Sequence, residues 1–347
     1  MAEAANHPNQ ANIVKRLHKK EKKEGDISRA TLIWRAAKIP MYTVALTPLT
    51  VGTAAAYWES GFYSLERYFT LLASFVLVNL WINLSNDVYD FDTGADKNKK
   101  ESVVNIFGSR TAIHILSLLV LAIGFAGLCW VALEAKNPRA ILLLASTVFC
   151  VYAYQFPPYR LSYHGLGEPL CFAAYGPFAT VAFYLLQSGS SSELPISSTV
   201  VFASIFVGFT SALILFCSHF HQIEDDKAVG KISPLVRLGT EKASKVVKMS
   251  VLGFYWLVFG LGLSQTLPYA CVVLCTMTLP MGNLVVSFVQ ENHKDKSKIF
   301  MAKYYCVRLH TVFGAALAAG LVASRLIMHS GEQLQQSLFD YAKFLYL

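Results

Sequence analysis

Charged residues are scarce in this chain of 347 amino acids. Asp, Glu, Lys and Arg make up 15% of the sequence, against about a quarter of a typical soluble domain. Hydrophobic residues make up 54%, and the mean hydropathy is positive, at +0.43. This balance excludes an ordinary soluble domain and indicates a membrane protein.

Several short motifs that would indicate other chemistry are also missing. The sequence has no P-loop, no glycine-rich dinucleotide motif and no apolar signal-peptide core in its first 30 residues. Its seven cysteines include no Cys-x-x-Cys pair, and most lie in apolar runs, so we interpret them as buried hydrophobic residues. His219 and His221 lack further nitrogen or sulfur ligands nearby, which argues against a zinc site.

Long apolar runs are the dominant feature of the sequence. A run of roughly 18 residues or more is long enough to span a bilayer as a helix. We predict an all-α membrane protein with nine transmembrane helices around a central cavity, at about 39–58, 68–88, 111–133, 139–156, 169–187, 199–218, 246–265, 268–289 and 307–327. They would form one domain over residues 31–330, between a polar basic arm (1–30) and a short tail (331–347).

The positive charges are concentrated on one side of this predicted bundle. Of the 30 Lys and Arg residues, 25 lie before residue 39 or in the alternate loops 89–110, 157–168, 219–248 and 290–308. This is the positive-inside asymmetry of a polytopic membrane protein, and it predicts an N terminus on the cytoplasm-equivalent side. The net charge of +8 therefore reflects topology, and nucleic acid is not an expected partner.

A polar stripe runs along the end of the second span. Asn79, Asn83, Asn86, Asp87 and Asp90 recur at spacings of three and four, so on a helix they share one face. Such a stripe is too costly to expose to lipid and must face a cavity or other helices. Its carboxylates are hard oxygen ligands, suited to magnesium rather than zinc.

A second acidic segment follows the sixth span on the same side of the membrane. On a continuous helix Ser218, Gln222, Asp225 and Asp226 would share one face. Arg160 lies on this side too, after an aromatic stretch that ends the fourth span.

Two acidic segments at one mouth suit a Mg²⁺-bound diphosphate, because magnesium takes one or two carboxylates per ion together with phosphate oxygens. Arg160 and Lys227 would neutralise the leaving diphosphate, and the apolar interior would hold a hydrocarbon tail. A transporter is the alternative class, but its ionisable groups would lie near the middle of the bilayer, whereas these gather at one end.

The segment Asn86-Asp-x-x-Asp90 and the second acidic segment resemble the UbiA superfamily of intramembrane aromatic prenyltransferases. Residues 86–96, 163–168 and 303–310 are similar to the 1,4-dihydroxy-2-naphthoate prenyltransferases. Residues 218–227 and 233–240 are similar to their plant and cyanobacterial branch, which attaches a phytyl chain on the way to phylloquinone.

The sequence departs from the family pattern at three positions. Gly94 occupies the place of the last Asp in the first motif, so Asp92 or Asp96 is expected to replace it. Gln222 occupies the place of the first Asp in the second motif, so Asp225 or Glu224 would compensate. The family's Tyr-x-x-x-Lys is here Phe156-x-x-x-Arg160, with the phenol displaced to Tyr154.

The resemblance implies Mg²⁺-dependent transfer of a phytyl group from phytyl diphosphate to 1,4-dihydroxy-2-naphthoate, with loss of CO₂ and pyrophosphate. A related acceptor such as homogentisate is the nearest alternative, and the branch implies a plastid membrane. The expected catalytic residues are Asp87, Asp90 and Asp226; the expected metal ligands are these three with Asp225; the expected substrate-binding residues are Asn83, Asn86, Tyr154, Arg160, Gln222 and Lys227.

Overall fold

The computed structural model describes Ile33 and residues 42–94, 102–187 and 194–345, and every regular element within these ranges is helical. This confirms the predicted all-α class; the predicted arm 1–30 lies outside the described residues. The helices are α1 Thr43–Ser60, α2 Leu65–Thr93, α3 Val103–Phe107, α4 Arg110–Glu134, α5 Pro138–Gln155, α6 Gly167–Ala173, α7 Val181–Leu186, α8 Ser198–Ser218, α9 Ile223–Ala228, α10 Pro234–Leu263, α11 Tyr269–Thr276, α12 Leu279–Asn292, α13 Lys296–Ile299 and α14 Ala302–Leu345.

Three segments of other helical geometry complete the fold. Residues Leu161–His164 and His219–Gln222 form 3₁₀ turns, and Ala174–Thr180 forms a π-helical stretch between α6 and α7. At the far end of the chain, α14 continues through the predicted tail as far as Leu345.

Seven helical stretches of the described ranges are long and apolar enough to cross a membrane, so the protein is an integral membrane protein. They are Leu65–Thr93, Arg110–Glu134, Gly167–Leu186, Ser198–Ala228, Pro234–Leu263, Tyr269–Asn292 and Lys296–Gly331. The predicted number of nine is not confirmed, because α1 and α5, in the places of the first and fourth predicted spans, are not among the seven.

Helix α1 is largely buried by other helices. It carries four threonines, and its buried residues extend from Val44 to Ala56. It packs against α2, α7, α8, α14 and the π-helical stretch. A Cβ added at Gly52 would lie 2.6 Å from the carbonyl oxygen of Thr180, so glycine allows the two backbones to cross closely.

The outer helices present apolar stripes to lipid. Along α4, Ile115, Leu119, Ile123 and Trp130 are each more than half exposed, whereas Ile113 on another face is 6% exposed. Exposed positions at intervals of about four residues lie on one face of an α-helix. This face therefore contacts the hydrocarbon of the bilayer.

Several chain segments meet at one end of the bundle and form the candidate site. Helix α2 ends at Gly94, whose positive φ of 79° lets its N–H bond back to Phe91. Helix α8 ends in the 3₁₀ turn His219–Gln222, which α13 also contacts. The acidic segments after the second and sixth predicted spans thus share this end with the basic loop before α14.

Candidate active site

The polar stripe of α2 faces other helices, as its spacing predicts. Asn79 is 5% exposed; its amide donates to the Phe75 carbonyl (2.9 Å) and its Oδ1 accepts from the Tyr175 hydroxyl (2.8 Å). One turn later, the Asn83 amide donates to the Asn79 carbonyl (3.1 Å). The Oδ1 of Asn86 is buried and has no hydrogen-bond partner among the described residues. The stripe therefore begins with contacts between helices at Asn79 and reaches, at Asn86, a side-chain oxygen that has no partner among the described residues.

The two aspartates of the first motif have different neighbours. Asp87 is 1% exposed, and its Oδ2 accepts from the backbone N–H of Val103 at 2.8 Å, at the start of α3. The Oδ1 of Asp90 accepts from the Gln155 amide at 2.8 Å, at the end of α5. These bonds tie α3 and α5 to the end of α2 and hold both carboxylates in place.

Of the two proposed replacements for Gly94, the structure describes only Asp92. Its carboxylate is paired with Arg110 through contacts of 3.1 and 2.6 Å, and about a third of its side chain is exposed. Asp96 lies outside the described residues. Asp92 is therefore engaged at the surface by a guanidinium rather than turned to the interior.

In the second acidic segment the structure separates neighbours that the sequence analysis grouped. Asp226 is buried; its Oδ1 is 3.1 Å from Lys231 Nζ, and its Oδ2 has no hydrogen-bond partner in the described part of the chain. Asp225 is exposed and pairs with Lys296 at 3.1 Å. Lys227 is exposed and pairs with Glu224 at 3.1 Å. Asp226 thus points inwards, whereas Asp225 and Lys227 point outwards.

Adjacent residues on α9 already point about 100° apart, and the 3₁₀ turn before them changes the helical phase of the whole segment. The predicted shared face requires a continuous α-helix, in which each residue is rotated by about 100° about the helix axis relative to the one before. In a 3₁₀ helix this rotation is about 120°. Over His219–Gln222 the difference rotates the following residues by roughly 80°. Gln222, half-buried, ends the turn.

Tyr154 links the two acidic segments. Its phenol lies close enough to Asp90, Asp226 and Glu168 for all three carboxylates to act on it electrostatically. Tyr154 comes one residue before Gln155, and both inward aspartates share its surroundings, so it stays the predicted replacement for the family phenol.

Arg160 is held in an unusual backbone conformation at the same end. Its φ of 41° lies in the left-handed region, which is costly for a residue other than glycine. Its Nε is buried without a hydrogen-bond partner among the described residues, and its guanidinium lies 5.8 Å from the centre of the Tyr163 ring. An oriented cation with an unused donor suits an anionic ligand.

A cavity of about 160 Å³ opens beside these residues. Most of its lining is apolar, and its polar members include Asn86, Tyr154 and Tyr175. An apolar cavity of about 150 Å³ holds one benzene-sized ring. The cavity thus matches in volume a single ring or the reactive end of a chain.

Five residues of this candidate site were not predicted from the sequence: Gln155, Glu168, Tyr175, His219 and Lys231. Lys231, rather than Lys227, is the cation paired with the inward aspartate. Gln155 and Tyr175 lie in predicted spans, where a polar residue beside apolar ones is the signal that could have revealed them.

The oxygen donors fit divalent cations that are shared with a phosphate ligand. Among the described residues no group of three His, Cys, Asp or Glu side chains converges into a closed metal site. Magnesium, however, needs only one or two carboxylates when phosphate oxygens and water complete its shell. The unpartnered, buried Asp226 Oδ2 and Asn86 Oδ1 are hard oxygen donors of this kind.

Comparison with known proteins identifies the family. The model of the UbiA prenyltransferase family matches residues 45–307. This chain belongs to that family. The prenyltransferase is 62% identical to the chloroplastic 2-carboxy-1,4-naphthoquinone phytyltransferase of Arabidopsis thaliana over 305 residues, which cover 87% of this chain and 80% of the relative. It is 41% identical to the enzyme of the same name from Synechocystis over 290 residues, 83% of this chain and 92% of the relative.

Solved structures support the fold of this prenyltransferase. A UbiA homolog from Aeropyrum pernix K1 superposes with a TM-score of 0.61 and 16% identity, covering 81% of this chain and 97% of that one. A UbiA homolog from Archaeoglobus fulgidus bound to GPP and Mg²⁺ gives a TM-score of 0.52 and 17% identity, covering 84% and 100%. The predicted family, fold class and enzyme class are confirmed.

Proposed function

We propose that this prenyltransferase transfers a phytyl group from phytyl diphosphate to 1,4-dihydroxy-2-naphthoate, with loss of CO₂ and pyrophosphate, on the route to phylloquinone. The 62% identity to the Arabidopsis phytyltransferase over 87% of this chain carries the proposal. The same relative, named chloroplastic, supports a plastid membrane as the location.

Within this proposal, the carboxylates that face the interior of the bundle bind the metal. Asp87, Asp90 and Asp226 would hold Mg²⁺, which when bound neutralises the diphosphate and makes it a better leaving group. Asn86 and Asn83 extend this polar face along α2, and Gln222 offers an amide oxygen beside Asp226. Asp225 is not included, because its carboxylate pairs with Lys296 at the surface.

Two cations would bind the diphosphate itself. Arg160 has a buried, unused Nε donor, and Lys231 lies against Asp226 with 13% of its side chain exposed. Both reduce the negative charge that two acidic segments and a diphosphate bring together. Lys227 is replaced in this role by Lys231, because Lys227 pairs with Glu224 in solvent.

The acceptor reacts in its reduced form under this proposal. Two relatives are named for a carboxy-naphthoquinone, whereas the Haemophilus influenzae and Bacillus subtilis relatives, 25% and 23% identical, are named for 1,4-dihydroxy-2-naphthoate. An allylic cation needs an electron-rich ring as its partner, and the dihydroxy form is electron-rich. The cavity beside Tyr154, large enough for one ring, suits the reacting part of such an acceptor.

Product formation in membranes containing the protein tests the proposal. Phytyl diphosphate and 1,4-dihydroxy-2-naphthoate are supplied with Mg²⁺, or with EDTA, and the quinone products are analysed by mass. We expect phytylated naphthoquinol, detected as the naphthoquinone after oxidation by air, with Mg²⁺ and none with EDTA, and recovery when Mg²⁺ is restored.

Two other results would contradict parts of this proposal. Product from homogentisate alone would replace the acceptor and leave the prenyl transfer in place. Equal product with and without EDTA would remove the metal from the reaction.

A further inference from the structure

A buried pair beside the cavity, Glu168 and His219, is not used by the metal–diphosphate chemistry. Glu168 lies in the first turn of α6, and His219 begins the 3₁₀ turn after α8. The Oε1 of Glu168 is 3.0 Å from Nδ1 of His219, and the two side chains are 13% and 3% exposed. Because a carboxylate carries no hydrogen, the His219 Nδ1–H is the donor.

The second oxygen of Glu168 has no donor from the protein. Its Oε2 is buried and without a hydrogen-bond partner within the described ranges of the chain. Buried carboxylate oxygens are normally hydrogen-bonded, since desolvation without a donor is unfavourable. The free oxygen is therefore a position at which a ligand would supply the donor.

The start of α6, which carries Glu168, lies beside the polar part of the cavity. The Glu168 carboxylate acts electrostatically on Tyr154 and Cys171, and both residues line the cavity. A Cβ added at Gly167 would lie 2.8 Å from Cε2 of Tyr154, so the start of α6 is in contact with the Tyr154 ring.

The local charges exclude an anionic group at Glu168 itself. Asp90 and Asp226 act on the same Tyr154 phenol, so a diphosphate would be repelled at Glu168. A carboxylate can only accept hydrogen bonds. A phenolic hydroxyl supplies such a donor, whereas a quinone offers only carbonyl oxygens.

We propose that Glu168, oriented by His219, accepts a hydrogen bond from a ring hydroxyl of the aromatic acceptor and so selects the dihydroxy form over the quinone. This inference rests on the proposed function. His219 acts as a positioning residue, since its own bond is to Glu168.

The same contact provides for the hydroxyl proton during transfer. As the carboxyl-bearing ring carbon attacks the allylic carbon, the bond to the diphosphate oxygen breaks and the diphosphate leaves with the electron pair. The hydroxyl proton passes to Glu168 Oε2, and the ring oxygen becomes a carbonyl. When CO₂ leaves, its bonding electrons restore the aromatic ring, and the proton returns from Glu168 to the oxygen.

A substrate–variant cycle tests this contact. The parent and Glu168→Gln are assayed with 1,4-dihydroxy-2-naphthoate and with each of its two monomethyl ethers. With the dihydroxy acceptor, we expect Glu168→Gln to lower kcat/KM by about 100-fold, as for loss of a positioned base. With the ether that blocks the contacting hydroxyl, the parent should already be slow, and Glu168→Gln should change the rate by less than about threefold, because the contact is already missing.

Inhibition by the quinone form gives a second, independent measurement. Glutamine presents an N–H donor where Glu168 presents only an acceptor, so 2-carboxy-1,4-naphthoquinone should inhibit Glu168→Gln about tenfold more strongly than the parent. His219→Asn retains an N–H donor and should stay near the parent, whereas His219→Leu should follow Glu168→Gln. Glu241→Gln, which removes an exposed carboxylate paired with Lys245, is the matched control.

The inference is overturned if Glu168→Gln, with an unchanged thermal unfolding midpoint, retains parent-like turnover of the dihydroxy acceptor. It is equally overturned if the variant loses the same factor with both monomethyl ethers. The proposed function is judged separately, by whether the parent makes product from this acceptor. If the parent uses another phenol, the same cycle is run with that phenol and its ether.

Discussion

Asp225 and Asp226 are adjacent in sequence but have opposite surroundings. Asp226 is 6% exposed and keeps one oxygen without a partner among the described residues, whereas the side chain of Asp225 is 65% exposed and pairs with a surface lysine. A carboxylate can hold a metal–diphosphate complex only where it faces the ligand. The pair therefore offers two isosteric substitutions at consecutive positions with different expected results.

We expect Asp226→Asn to lower kcat by at least about 100-fold, the usual scale for removing one preorganised charge from a reaction centre. Asp225→Asn should stay within about threefold of the parent, since exposed ion pairs contribute little. Both are measured as prenylated product per folded protein at saturating Mg²⁺. A large loss in Asp225→Asn with normal activity in Asp226→Asn would reverse the assignment.

Residue-level prediction succeeded where only local geometry was needed. Asn79, Asn83 and Asp87 lie on one continuous α-helix, so their spacing alone predicted a protein-facing stripe. It was incomplete in the second segment, because no composition signal marks the 3₁₀ turn that changes the helical phase before Asp226. Glu168 and His219 are 51 residues apart, and only tertiary packing brings them together.

At the scale of elements, a close helix crossing sets the wall of the cavity. The π-helical stretch Ala174–Thr180 supplies Ala174 and Tyr175 to the lining and packs against α8. A Cβ added at Gly208 of α8 would lie 2.6 Å from the carbonyl oxygen of Phe172. Backbone atoms cannot yield as a flexible side chain can, so this crossing requires glycine.

Gly208→Ala should therefore destabilise the protein by about 1–3 kcal/mol, the usual range for overpacking a tight contact. The thermal unfolding midpoint in detergent should fall, and turnover should fall with it as Tyr175 moves. Gly253→Ala is the matched control on α10, where no atom lies within 4 Å of the added Cβ. There alanine should be neutral or stabilise by up to about 1 kcal/mol through helix propensity. An unchanged midpoint in Gly208→Ala would show that the helices can separate freely.

The number of spans was harder to predict than the helices themselves. The sequence placed helices close to α1 and α5, but it treated every apolar run as a lipid-spanning segment. Helix α1 is enclosed by other helices, and its buried threonines Thr47 and Thr53 belong to a protein environment, so its span stays a prediction. Burial alone does not decide the apolar signal, because Ser198–Ala228 is the most buried of the seven stretches and is still apolar enough to span.

At the scale of the whole molecule, the two ends of the bundle differ in charge. The candidate site shares its end with the basic loop that contains Lys296, which pairs with Asp225. At the opposite end the ionic contacts are sparse and include Arg67 with Glu134, which joins α2 to the end of α4. The positive-inside rule therefore predicts that the site opens to the cytoplasm-equivalent face, the stroma in a plastid.

Labelling of single introduced cysteines tests this orientation. Lys298 on α13 and Arg139 at the start of α5 are both exposed and lie on opposite predicted sides of the membrane. In sealed vesicles with the cytoplasm-equivalent face outward, Lys298→Cys should react with a membrane-impermeant maleimide directly, and Arg139→Cys only after detergent is added. The seven native cysteines are buried or half-buried, so the parent protein sets a low background.

Labelling of Arg139→Cys alone in intact vesicles would invert the topology and place diphosphate release on the other side of the membrane. The charge asymmetry would then reflect the polar headgroups around the site and not the direction of insertion.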